Sequence, residues 1–271
     1  MPFDTTARLP DTNIADLIGR IPHRLALAGG WIDQPFVSAR NPSPPGSMVV
    51  VSLQPDCWFM DRAGMASGTR KMALRLWNGV LPDRRREELV RELYYAENQG
   101  RLDPSGSQDM AGLIYPGVSR LDYDAAHEDG RFPVRVESNC DAPIARWLER
   151  VLHLVPINQR PEGYSPLGVK NLDPAWIERL GRTGWCCFEA ILRRDVRALG
   201  ESMNACMQCW ESILPHTVSH PTIQIDLKAI LANFQSRYPG AMYSGCGGGY
   251  LIAVSEEDVP GALRIRVRTT F

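Results

Sequence analysis

The chain has 271 residues, 44% apolar and 23% charged, with 30 basic against 31 acidic side chains and a net charge of −1. That length suits one large domain or two small ones, and the balanced charge excludes a bulk field that recruits nucleic acid or an anionic membrane. No apolar run approaches the roughly 20 residues that span a bilayer, and the opening MPFDTTARLPDTN lacks a basic-then-apolar signal pattern, so a cytoplasmic location is expected.

In chain order, apolar runs predict strands at 23–29, 47–53, 57–61, 151–157 and 249–255. Helical spacing, ended by Gly, Pro or a charge, predicts helices at 69–81, 83–100, 173–195, 196–214 and 223–240. Short strands mixed with paired helices predict an α+β protein rather than an alternating doubly wound sheet. The composition changes near residue 150, where RVESNCDAPIARWLER leads into VLHLV.

The seven cysteines are odd in number and scattered. Cys206 and Cys209 have CxxC spacing, but no second CxxC or paired histidine accompanies them and the surrounding stretch reads as helix, so reduced, partly buried thiols are expected.

Three glycine-bearing stretches carry possible chemistry. The first, RIPHRLALAGGWIDQP, runs over 20–35. In the second, DRAGMASGTRKMALRLW, a loop of Gly64, Met65, Ala66, Ser67, Gly68 and Thr69 enters a helix. Exposed backbone N–H groups and the helix dipole favour a phosphate there, although Ser67 or Thr69 could equally serve as an ordinary N-cap. The third, GAMYSGCGGGYLIAV, has four glycines among residues 245–249. A fourth segment, GRLDPSGSQDMAGLIYPG, places Asp109 after a Gly/Ser turn, as a general base, a cation ligand or an N-cap.

Taken together and in this order, RLALAGGWID (24–33), GMASGT (64–69), SGSQDM (105–110) and GCGGGY (245–250) resemble the motifs of the GHMP kinase family, closest to its heptose-phosphate kinase and fucokinase-like sugar kinases. The resemblance covers about residues 20 to 256. It implies a two-domain fold, with a ribosomal S5 domain 2-like half over 1–150 and a ferredoxin-like half over 151–271. It also implies a kinase using ATP and Mg²⁺ on a sugar or sugar-phosphate hydroxyl, the anomeric one, with no nucleic-acid or membrane partner and the oligomeric state left open.

Carried over, residues 64–69 hold the nucleotide phosphates, and Ser67 and Glu97 hold the metal. Asp109 takes the acceptor proton, and Arg24 holds Asp109 ionised and offsets phosphate charge. Asp33 hydrogen-bonds sugar hydroxyls, and Gly30 and Trp31 line the sugar site. Gly245, Gly247 and Gly248 form a tight turn against the phosphate loop, so that valine at Gly247 or Gly248 abolishes activity and spares much of the fold. Arg160 stands where relatives carry a turn arginine, and His216 and His220 flank a proline turn. Two alternatives stay open: a GHMP kinase for a non-sugar alcohol, against which GGWID argues, and a silent relative that binds sugar or nucleotide and regulates a partner. The single serine of the loop and Arg70 keep the second open, and Asp109, Arg24 and Glu97 argue against it.

Overall fold

The computed structural model describes residues 19–101 and 104–270, so the reading of residues 1–13 lies outside it. Two four-stranded antiparallel sheets and eight α-helices make up the described residues, in keeping with the α+β expectation. Sheet 1 is ordered β1 (His23–Ala26), β2 (Gly46–Leu53), β3 (Val118–Tyr123) and β4 (Arg135–Asn139). The short α1 (Pro35–Ser38) joins β1 to β2. Between β2 and β3 run α2 (Ser67–Leu76), α3 (Arg86–Asn98) and α4 (Gln108–Ile114). Then α5 (Ala142–Val151) leads into β5 (Leu152–Pro156).

Three longer helices follow, α6 (Pro174–Arg193), α7 (Val196–Ile213) and α8 (Leu227–Arg237), then β6 (Gly240–Gly245), β7 (Gly248–Val254) and β8 (Leu263–Arg264). Sheet 2 is ordered β6-β7-β5-β8. Among the described residues no helix is long and apolar enough to cross a membrane.

Each predicted helix overlaps an observed one, and four of the five predicted strands do likewise. The exception is 57–61, which is loop. There the Cys57 carbonyl lies 3.1 Å from Nε2 of His23, the Met60 N–H donates to the Tyr250 hydroxyl at 3.0 Å, and Trp58 stands 60% exposed. These backbone groups are committed to side chains, so no ladder forms.

β3 was missed because its sequence, VSRLDY, contains two charges. Both are buried and answer each other: Asp122 accepts from Arg120 Nε at 3.0 Å and from the Ser47 hydroxyl at 2.7 Å. α5, read from the sequence as a polar approach to a strand, has Pro143 in its first turn and buries Ile144, Trp147 and Leu148.

The helix pair α6 and α7 connects the sheets by backbone contact. A Cβ on Gly184 of α6 would fall on the Ser47 carbonyl of β2, and one on Gly200 of α7 would fall on the backbone at Pro239 and Gly240, where β6 begins. The segment after β8 returns to sheet 1 through a bridge between Leu53 and Val267. Arg268 follows it, buried, donating to Ser52 Oγ at 3.0 Å and to the carbonyls of Leu113 and Ile114 at 3.1 and 2.8 Å. It thereby caps the end of α4.

Candidate active site

The four sequence stretches meet in one cleft of ≈ 340 Å³ between the sheets. Every residue singled out as a site residue lines it except Met65, whose side chain is in the core, and Gly247 and Gly248, which lie behind the wall.

The loop into α2 forms the first wall. Its N-cap position is Ala66, in the left-handed region at φ 52°, with no side-chain hydrogen bond to the helix start. Neither Ser67 nor Thr69 is the cap. Ser67 instead opens the helix and accepts from the Arg62 N–H at 3.2 Å. The first-turn N–H groups of α2 therefore have no side-chain acceptor and face the cleft, an arrangement suited to an anion. Arg70 does not crowd the loop, because its guanidinium turns away to the carbonyls of Ile21 and Gly19 at 2.9 and 3.1 Å.

Opposite stands α4. Asp109, in its first turn, pairs with Arg24 from β1. Arg24 also donates to the Gly64 carbonyl at 3.2 Å, which ties the ion pair to the phosphate-type loop. Burial lowers the Arg24 pKa to about 10; Asp33 and Glu97 work the other way and Arg160 adds to the lowering. The guanidinium still carries its charge at neutral pH. Its chain passes over α4 where residue 112 is glycine; any Cβ there would occupy the position of Arg24 Cγ.

Asp33 is buried, and that burial raises its pKa to about 6, against backbone amides and Arg24 that favour the ionised form. Its carboxylate lies where a Cβ on Gly106 would stand. Trp31 holds an unusual φ of 82° and packs 6.3 Å from the Phe36 ring. A bulky residue in that region is a true outlier, of the kind that clusters at functional sites. Trp210 of α7 supports the turn by donating from its indole to the Gly30 carbonyl at 2.9 Å.

Glu97 of α3 is nearly buried and accepts from the Ser105 hydroxyl at 3.2 Å, yet its Oε2 has no partner. No group of three or more His, Cys, Asp or Glu suited to a metal occurs among the described residues. Glu97 and Ser67, which both line the cleft, are a donor set too small for a complete cage. The pair does fit Mg²⁺, which keeps waters and takes one or two protein ligands beside substrate phosphates.

The third glycine stretch reaches the loop as expected, but through Gly245 and Gly249. A Cβ on Gly64 would lie 2.7 Å from the Gly245 nitrogen, and a Cβ on Gly249 would fall on the Ala63 carbonyl. Ser244 Oγ donates to that same carbonyl at 2.9 Å. Gly247 and Gly248 have φ of 73° and 92° and pack on Tyr164 and Asn158, so valine at either would strain the turn itself as well as any site. Arg160 lies over Gly245 in the cleft wall, with a buried Nε that has no partner. His216 and His220 stack edge to face at 4.8 Å outside the lining.

Sequence reading missed Gly106, Gly112 and Trp210, because each serves a partner distant in the chain. The CxxC cysteines are core thiols: burial pushes Cys206 up to about 12 and Cys209 up to about 11, and Cys206 accepts from the Gly29 N–H at 3.3 Å.

No protein-family model and no curated protein sequence matches the chain. Solved structures do match. The galactokinase of Lactococcus lactis, complexed with galactose, is 12% identical with a TM-score of 0.59, covering 88% of this chain and 85% of that one. The mevalonate kinase of Methanococcus jannaschii is 11% identical with a TM-score of 0.57 over 92% and 97%. A D-glycero-D-manno-heptose 1-phosphate kinase from Bacteriodes thetaiotaomicron is 11% identical with a TM-score of 0.53 over 92% and 96%. At such identities the likeness is one of fold.

Proposed function

The chain carries the fold of the GHMP kinases, and from that premise we propose that it is a small-molecule kinase, transferring a phosphoryl group from ATP to a hydroxyl of a sugar or sugar phosphate. The observation that carries this reading is the Arg24–Asp109 pair, bonded to the first glycine of an uncapped helix-start loop within one cleft. Phosphoryl transfer is largely positioning and charge neutralisation, and the cleft supplies both.

In this reading the backbone of residues 64–69 cradles the nucleotide phosphates. Ser67 and Glu97 hold Mg²⁺; the unpartnered Oε2 of Glu97 supports that role. When bound, the metal supplies charge neutralisation along the terminal phosphates. Asp109 receives the proton of the attacking hydroxyl, and Arg24 keeps Asp109 ionised and faces the transferred group. Arg160, close enough to depress the Arg24 pKa, adds a second cation beside Gly64 and Gly245. In this reading the domain boundary falls near residue 150, and the site lies between the two halves of the chain.

The matching folds include both galactokinase and mevalonate kinase at similar scores, so fold does not choose the acceptor. Asp33 favours a polyol, because a buried carboxyl fixed by backbone amides can accept from neighbouring hydroxyls. The anomeric hydroxyl is the proposed acceptor, by resemblance to the anomeric sugar kinases. The test is ADP release with Mg-ATP across free sugars and sugar phosphates, with Asp109→Asn alongside. Turnover on one sugar that falls on the order of 10²–10⁴-fold in the variant is expected. Full activity in Asp109→Asn would overturn the assignment.

A further inference from the structure

Beside the cleft lies a second hollow of ≈ 380 Å³. The two share Trp31, Gln34, Ser105 and Pro166 in their walls, so they are chambers of one depression. None of residues 64–69 lines the second chamber. It opens instead from the side of the cleft where Gln34 and Ser105 adjoin Asp33 and Gly106. A ligand entering it from the cleft therefore leads away from the nucleotide loop and past the acceptor position.

Among the described residues the charged side chains that line this chamber are Lys170 and Arg101, both cations. The Lys170 ammonium lies 4.5 Å from the centre of the Phe36 ring. Arg101 reaches Glu97 only at 3.5 Å and is half exposed, leaving much of its fork to a ligand. The remaining surface is largely aromatic and proline, from Trp31, Phe36 and Pro166. Aromatic faces take the C–H face of a sugar, and cations at the far end take an oxyanion. Trp31, at the join, is held in its left-handed conformation with its ring toward Phe36.

We propose that the second chamber receives an acidic extension of the acceptor, a phosphate or carboxylate carried several bonds from the reacting hydroxyl, with Lys170 and Arg101 as its counter-charges. The inference rests on the kinase reading and sharpens it: the acceptor is an acidic sugar rather than a neutral one. Both cations are water-accessible, so their effect is selective rather than absolute and weakens with salt.

The test is calorimetric titration, without nucleotide, of mannose, mannose 1-phosphate, mannose 6-phosphate, glucose, glucose 6-phosphate and glucuronate. Wild type, Lys170→Glu and Phe36→Ala are compared. At least one acidic sugar should bind wild type tenfold or more tightly than its neutral parent. Lys170→Glu should erase that preference, and Phe36→Ala should weaken both members of the pair. Equal binding of acid and parent by wild type, no binding of any acidic sugar, or a preference that survives Lys170→Glu would each overturn the proposal. Since ATP is absent, acid-selective binding without turnover in the ADP assay would sink the kinase reading and leave the chamber assigned. Turnover without acid preference would do the reverse.

Discussion

In α6, α7 and α8 the first turns are completed by side chains. Asp173 accepts from the N–H groups of Ala175 and Trp176, Asp195 from Ala198, and Asp226 from Ala229. In the cleft, α2 begins at Ala66 with no such acceptor. Helices α3 and α5 also lack side-chain caps, but the residues before them, Arg85 and Asp141, stand in water. The same contrast holds for polar atoms. Of seven buried side-chain atoms without a partner among the described residues, four belong to the cleft residues Arg24, Glu97, Gln108 and Arg160.

Each such atom costs roughly 1–3 kcal/mol. A helix pair built only for stability has no reason to leave them, whereas a site completed by a ligand does. Substitutions in the two regions should therefore separate activity from stability.

The largest separation is expected at Arg24. Arg24→Lys keeps a charge but loses the fork that joins Asp109 to Gly64, so turnover should fall on the order of 10²–10³-fold with a denaturation midpoint close to wild type. An equal collapse of stability would break the comparison.

At the helix pair the reverse is expected. Gly200→Val places a side chain on the backbone at Gly240. Overpacking of this kind should cost roughly 3 kcal/mol, read as a lower urea midpoint, while kcat measured in the cold stays near wild type.

The smallest effect is a pH dependence at Asp33. Its folded pKa of about 6 lies above the ordinary 3.8, so the folded state binds this proton more tightly than the unfolded chain. Its contribution to stability is best below pH 3.8, declines as pH rises to 6, and is a constant penalty beyond. Asp33→Asn should raise stability above pH 6 by at most about 3 kcal/mol and change it little below pH 4, as denaturant titration at the two pH values would read. If the gain is the same at both, the burial argument for Asp33 fails.

Much of the cleft was legible in the sequence because its parts are local. A Gly/Ser loop entering a helix, a carboxylate after a Gly/Ser turn and a glycine cluster before a strand are each short signals. Their meeting at Gly64 and Gly245 is what the resemblance to the GHMP kinases implies; the particular contacts are not in the motifs. Gly106 and Gly112 look like ordinary small residues until Asp33 and Arg24 are seen against them. β3 was illegible for a related reason: Arg120 and Asp122 read as surface charges, and their burial depends on each other and on Ser47. At 57–61 the error ran the other way, since apolar letters promise a strand only where a neighbouring edge is free to pair.

The cap that Arg268 places on α4 also sets an order of events during synthesis. Its hydrogen bond to the Leu113 carbonyl spans 155 residues of sequence, and α4 carries Asp109 in its first turn. A ribosome making this protein at roughly 5–20 residues per second has long since released the segment containing Asp109 when Arg268 is added. For those seconds the seven-residue segment that becomes α4, Asp109 included, is without the donors that Arg268 later brings to its last carbonyls. The contacts that tie β2 and the end of α4 to Val267 and Arg268 can therefore form only after the segment beyond β8 has left the exit tunnel, however early sheet 1 was made.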